Sequence, residues 1–154
     1  MAQLVLRPVK ISDLSAIEEV NAAVQPHPWS HQSLVEELNH PQLLGIVALE
    51  NEKLCGYLLC RFDPPSAFLE IMTLGVMLEF QRHGVAQKLF SKIFENVTRD
   101  DAIAATVFLE VSANNQAATS LYEKFGFKLN SVRTKYYRDG SDALVYKLHL
   151  AKTQ

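Results

Sequence analysis

This chain lacks an excess of charge of either sign: 15 Lys+Arg stand against 17 Asp+Glu, a net charge of -2 at pH 7. A nucleic-acid binder displaces counterions with a basic surplus, so no direct nucleic-acid partner is expected. No stretch approaches the roughly 20 apolar residues of a membrane span, and "MAQLVLRPVK" has no basic n-region leading into a long apolar run. The expectation is a cytoplasmic protein without a membrane partner. Glycine and proline are sparse, six of each, and no repeat, low-complexity tract or linker occurs, which excludes disordered and fibrous classes. Only two cysteines are present, Cys55 and Cys60 in "LCGYLLCRF". Five apart on one strand, they are expected on opposite faces and unable to pair, two free thiols of a reduced compartment. His27 and His31 have no cysteine or carboxylate partner at ligand spacing, so no metal site is expected.

What is present suits a single domain spanning 1–154: 154 residues, 48% of them hydrophobic, enough for one well-filled core. "QLVLRP" alternates as a strand does. Ser12 is placed to cap a helix carrying Leu14, Ile17, Val20 and Val24, and Ser30 or Trp29 to start a second with Leu34, Val35 and Leu38. "LLGIVALE" and "KLCGYLLCRF" form a hairpin through "NE", and "DPPSA" is a loop. "FLEIMTLGVML" is apolar throughout, as a central strand covered on both faces is. A helix from Gly84 carries Val85, Leu89, Ile93, Phe94 and Val97, followed by a second buried strand, "TVFLEV". Asn114 or Asn115 caps a helix with Ala118, Leu121, Tyr122 and Phe125, and Gly126 sits at its left-handed C-cap. "FKLNSVRTKYY" and "ALVYKLHL" close the chain as a hairpin. The order β-α-α-β-β-β-α-β-α-β-β implies a mixed α/β (α+β) fold whose ligand site lies at the carboxyl ends of the central strands.

Two stretches sit at that edge. In "QRHGVAQKLF" a bare glycine opens a helix, whose first N–H groups lack intrahelical partners and attract an anion, with Arg82, His83 and Lys88 adding positive field. A plain strand-to-helix turn explains the glycine as well. It is not a nucleotide P-loop, for the Gly-Lys-Ser/Thr ending is missing. In "FLEVSANNQAATSLYEKFGF", Asn115 and Tyr122 are seven residues apart and share a helix face, with the phenol leaning toward the helix start. Glu110 ends the preceding strand. A carboxylate and a phenol thus converge beside the helix that begins at Gly84.

These motifs resemble those of the GCN5-related N-acetyltransferase (GNAT) superfamily, and within it the RimI-type protein N-terminal acetyltransferases. The phosphate motif Gln/Arg-x-x-Gly-x-Gly/Ala is matched by Gln81, Arg82, His83, Gly84, Val85 and Ala86. The RimI-like signature is matched by Leu109, Glu110, Val111, Asn115, Ala118, Leu121, Tyr122, Gly126 and Phe127, with "HPWS", "EIMTLGV", "RTKYY" and "SDA" agreeing in order along nearly the whole chain. The resemblance implies a seven-stranded mixed sheet with about four helices and a splayed central strand pair. It implies acetyl-CoA as co-substrate, its arm bonded by the main chain of Leu74, Gly75 and Val76, its diphosphate on Arg82, His83, Gly84, Val85, Ala86 and Gln87, with Asn115 also in contact. Glu110 would serve as general base, through a water, and Tyr122 as general acid. The acceptor would be a protein N-terminal α-amine, that of a small-subunit ribosomal protein, with the enzyme a monomer.

Three positions depart from that pattern: Gly75 stands for alanine, Ala86 for the second glycine, and "MLEF" for an Asp-Pro-x-Tyr turn at the approach to the diphosphate. The connection "RDDAIAA" is slightly extended. Glu70, at the start of a central strand, is a second carboxylate, His27 and His31 have a surface or loop role, Trp29 with Pro28 anchors the loop between the first helices and walls the acceptor groove, and Arg133, Tyr136 and Tyr137 either line that groove or pack across strands. Two other functions share the motifs, an acetyltransferase for a small amine or polyamine and a non-catalytic acyl-CoA-binding module. A pure binder needs neither Glu110 nor Tyr122.

Overall fold

Period-two patterning makes seven strands, and their pairing makes one sheet of order β1-β2-β3-β4-β5-β7-β6. The computed structural model describes residues 3–98 and 105–150. The strands are β1 (Val5–Pro8), β2 (Leu43–Glu50), β3 (Lys53–Asp63), β4 (Phe68–Val76), β5 (Ala105–Ser112), β6 (Lys128–Arg133) and β7 (Ala143–Leu150). Among the described residues only β4 and β5 pair in parallel. Helix α3 (Val85–Thr98) makes that crossover; residues 99–104 of its extended connection lie outside the described residues. Helices α1 (Leu14–Val24) and α2 (His31–Leu38) cover one face, burying Ile17, Val20, Leu34 and Leu38 against Val47, Tyr57 and Leu59. On the other face α3 and α4 (Gln116–Lys124) bury Val85, Leu89, Phe90, Ile93 and Tyr122 against Ile46, Leu58, Leu69 and Val107. No helix among the described residues is long and apolar enough to cross a membrane.

Local chemistry explains most boundaries. Asn51 and Glu52 both take positive φ, 50° and 66°, the conformation a two-residue turn needs to match strand twist. Ser30 caps α2 by accepting the Ser33 N–H at 3.1 Å. Asn115, rather than Asn114, caps α4 by accepting from Ala118 at 3.1 Å. Helix α4 ends as expected at Gly126, with φ 96°, where Phe127 N–H reaches the Tyr122 carbonyl and Gly126 N–H that of Glu123. The start of α1 differs from the sequence expectation. Asp13, not Ser12, ties it down: its carboxylate accepts from Lys10 N–H at 2.8 Å and takes two bonds from Arg7. A charged acceptor on three donors outcompetes a hydroxyl. "DPPSA" holds a short 3-10 turn over Pro64–Ser66.

The two cysteines also depart from expectation. Ala48 pairs with Gly56 and Leu49 with Leu54, which leaves Cys55 as a bulge in β3. One extra residue reverses the side-chain phase, so Cys55 and Cys60 both enter the core beneath α3 instead of facing opposite ways. Both are buried free thiols, and burial pushes each above its ordinary pKa. Another difference lies in the last hairpin. β6 stops at Arg133, and Tyr136 and Tyr137 belong to the connection, where Lys135 has φ 51° and its N–H bonds the Asp142 carboxylate at 2.9 Å. The left-handed residue ends the strand, so the two tyrosines are not cross-strand partners.

Candidate active site

The parallel ladder between β4 and β5 stops at Ile71 and Leu109. Beyond it β4 stays with β3 as far as Val76 opposite Gly56, and β5 stays with β7 as far as Ser112 opposite Ala143. Each strand follows its outer neighbour and a gap opens between them. Thr73 pairs with Leu59 and Ile71 with Cys60, so Met72 is an unpaired bulge where the ladder ends. The central strand pair is therefore splayed, as the resemblance implied.

That gap is part of a cavity of about 1720 Å³, larger than the roughly 300–1,000 Å³ typical for one small ligand. Leu74, Gly75 and Val76 line it from β4, Glu110 from β5, and Asn115 and Tyr122 from α4. Arg82, Gly84, Val85, Ala86 and Gln87 line its other end; His83 is exposed and does not. On the edge β5 has left, Gln25 Nε2 donates to the Leu74 carbonyl at 2.5 Å and Gln81 Nε2 to that of Val76 at 2.9 Å. N–H and C=O of one strand residue share an edge, so the N–H groups of Leu74 and Val76 face the gap, while alternation turns those of Gly75 toward β3.

At the mouth of α3, Lys88 is the first residue whose N–H enters the helix, bonding the Gly84 carbonyl at 3.1 Å. The preceding amides and the positive helix end are directed out of the helix axis, as an anion site requires. Arg82 and Gly84 have φ of 65° and 79°, and a Cβ on Gly84 would meet nothing within 4 Å. The cradle is open, and Arg82 adds charge beside it. "MLEF" folds as a 3-10 turn over Leu78–Phe80 that still returns Gln81 to β4. These residues fit the diphosphate and arm of acetyl-CoA. Among the described residues no group of three or more His, Cys, Asp or Glu is placed to hold a metal ion.

Tyr122 is buried, edge-on to Phe90 and Phe127 at centroid distances of 6.1 and 5.8 Å. Burial drives its pKa far above the ordinary value, so the phenol keeps its proton. Its hydroxyl makes no hydrogen bond to another described residue. Glu110 lies on the opposite face of the sheet, the one carrying α1 and α2, with Glu70 lining the same cavity. Arg133 Nη2 holds Glu110 Oε1 at 3.1 Å. Around them stand Gln25, His27 and Trp29 from the α1–α2 connection and Tyr136 and Tyr137 from the β6–β7 connection. The His27 ring stacks on Tyr137 at 4.9 Å with 2° between planes. Trp29 is fixed through its backbone, which exchanges bonds with the Asn21 amide at 3.0 and 3.1 Å. Both tyrosines thus line the cavity.

Two members were not visible as such in the sequence. Gln25 bonds Tyr57, Thr73 and Leu74; a polar residue between the apolar end of α1 and Pro26 is its only signal. Arg133 as the partner of Glu110 had none, because two strands of the folded sheet bring them together.

A family model, that of the acetyltransferase (GNAT) family, matches residues 14–127. The chain belongs to this family. The catalytic subunit of the N-terminal acetyltransferase A complex of Arabidopsis thaliana is 31% identical, over 97% of this chain and 79% of its own. The ribosomal-protein-S18-alanine N-acetyltransferase of Escherichia coli superposes with a TM-score of 0.87 at 23% identity, covering 99% of this chain and 97% of that one. Arabidopsis thaliana NAA60 in complex with acetyl-CoA gives a TM-score of 0.80 at 18% identity, over 96% and 98%. This GNAT domain is an acetyltransferase and its co-substrate is acetyl-CoA.

Proposed function

We propose that this acetyltransferase modifies the N-terminal α-amine of a protein, in RimI-like fashion that of a small-subunit ribosomal protein, with Glu110 as general base and Tyr122 as general acid. The observation that carries the reading is the placement of a carboxylate and a buried, protonated phenol along one cavity, on opposite faces of the split between β4 and β5. Its motifs, and a relative named for N-terminal acetylation, support it.

An α-amine has a pKa near 8, so at neutral pH most of it is ammonium. Glu110 takes the surplus proton, directly or through a water, and the freed lone pair attacks the acetyl carbon. Acetyl-CoA supplies that carbon as an activated thioester. The N–H groups of Leu74 and Val76, which face the gap, bond the arm and the developing oxyanion in this reading. As the carbon–sulfur bond breaks, Tyr122 passes its proton to the departing sulfur and is restored by the second proton that the nitrogen sheds as the amide forms. Burial keeps the phenol protonated and opposes phenolate, so Tyr122 acts late, when the sulfur is most basic. Cys55 and Cys60 are buried in the core and take no part.

The test is thiol release from acetyl-CoA with peptides bearing a free α-amine, set against polyamines and lysine peptides blocked at the N-terminus. Turnover of the α-amine peptides is expected. If only the polyamine is acetylated, the acceptor assignment is wrong; if none releases thiol beyond hydrolysis, a binding module is left.

A further inference from the structure

Glu110 does not wait empty for its substrate. Arg133, the last residue of β6, reaches across β7 to place Nη2 3.1 Å from Glu110 Oε1. The register shows how: Arg133 stands opposite Ala143, and Glu110 opposite Val145, so two small β7 side chains lie beneath the reach. The guanidinium carbon also sits 5.7 Å from the Tyr136 ring centroid, at the groove wall. We propose that Arg133 is a counter-ion gate, occupying the place on Glu110 that the acceptor's ammonium takes, so that acceptor binding exchanges one cation for another.

The energetics allow this. The Arg133 side chain is 57% exposed and that of Glu110 30%, and ion pairs so open to water are weak and readily exchanged. A carboxylate as open to water as that of Glu110 needs no such partner for stability. What Arg133 supplies is competition: a free cation or a stray amine meets a neutralised carboxylate, while an acceptor that also engages the groove walls displaces the guanidinium. The ring of Tyr136 gives the displaced cation a face to rest on. Arg133 is in this view a positioning and specificity-determining residue, not a catalytic one. The inference rests on Glu110 being the carboxylate that receives the acceptor amine.

The experiment compares Arg133→Met and Arg133→Lys, each alone and with Glu110→Gln, by steady-state thiol release with an alanine-initiated peptide. Spermidine takes its place should the peptide not be turned over, since the exchange concerns any ammonium. Arg133→Met is expected to lower the acceptor KM about three-fold, as loss of a weak competing ion pair would, leaving the KM for acetyl-CoA unchanged. Arg133→Lys, which keeps a cation, returns most of the way to the original KM. In the Glu110→Gln background, where acceptor binding is read by calorimetry because turnover through the base is lost, Arg133→Met should no longer matter. An acceptor KM unchanged or raised by Arg133→Met, or the same fall without Glu110, overturns the gate. Full turnover by Glu110→Gln alone instead removes the base role proposed for Glu110, a separate outcome.

Discussion

Alanine is the residue that the family pattern places at Gly75, and this chain has no room for it. An added Cβ would lie 2.5 Å from Tyr57 Cε2 and 2.8 Å from both Cζ and the hydroxyl, where carbon contacts need about 3.5–4.0 Å. The ring would have to retreat by roughly 1 Å. It has nowhere to go: Tyr57 is 0% exposed, and its hydroxyl bonds Gln25 at 3.2 Å and Thr73 at 3.3 Å. Overpacking of this kind costs about 1–3 kcal/mol, and loss of a hydrogen bond about 1 kcal/mol more. We expect Gly75→Ala to destabilise the protein by about 3 kcal/mol, a fall in Tm of roughly 6–12 °C for a chain of this size. Urea denaturation followed by tryptophan fluorescence measures it well, because Trp29 is the sole tryptophan and packs on the cluster that contains Tyr57. Tyr57→Leu in the Gly75→Ala background should restore part of the loss, giving a coupling of at least about 1 kcal/mol in a double-mutant cycle. A Gly75→Ala protein within about 0.5 kcal/mol of the parent, or two strictly additive substitutions, would refute the steric argument.

Tyr122→Phe keeps the ring packed on Phe90 and Phe127 and removes only the hydroxyl, which has no hydrogen-bond partner among the described residues to lose. It should lower kcat by roughly 100-fold with the acetyl-CoA Kd, read by calorimetry, unchanged; unaltered kcat takes Tyr122 out of the acid role. Asp13→Asn tests the tie at the start of α1. The Arg7 guanidinium, first, and the Lys10 N–H hold the Asp13 carboxylate below its ordinary pKa of 3.8. A depressed pKa stabilises the fold above the unfolded value and the contribution is lost as pH falls through the folded one. The substitution should therefore cost about 1–2 kcal/mol at pH 7, and the gap between the two urea midpoints should close on titration below pH 4. A gap independent of pH would show that the charge of Asp13 is not what matters.

Element order was legible because it rests on periodicity, which survives in any stretch long enough to repeat: Leu89, Ile93 and Val97 mark a helix before any contact is known. The bulges were not. A single inserted residue at Cys55 or Met72 changes no composition and no window average, yet it decides which face every later side chain takes, and it sent Cys60 to the same core as Cys55. The end of β6 was misjudged for a similar reason. "RTKYY" reads as strand by residue type, and only Lys135 turning left-handed, with Asp142 receiving its N–H, stops it at Arg133. In the site, the signature positions could be placed one by one along the sequence. The partners of those positions could not, since Arg133 meets Glu110 only across β7.

Two glutamines satisfy carbonyls that the split between β4 and β5 would otherwise leave unpaired. A strand that loses its neighbour exposes unpaired carbonyls at the heart of the sheet, a cost that would ordinarily draw the strands back together. Here Gln25, arriving from the end of α1, satisfies Leu74, and Gln81, arriving from the turn before α3, satisfies Val76. Each amide replaces one bond of the departed strand while leaving the neighbouring N–H free for a ligand. Both glutamines line the cavity, one from the α1–α2 connection and one from the turn before α3. The same two bonds therefore fasten the α1–α2 connection and the turn before α3 to the free edge of β4, beside the N–H groups of Leu74 and Val76.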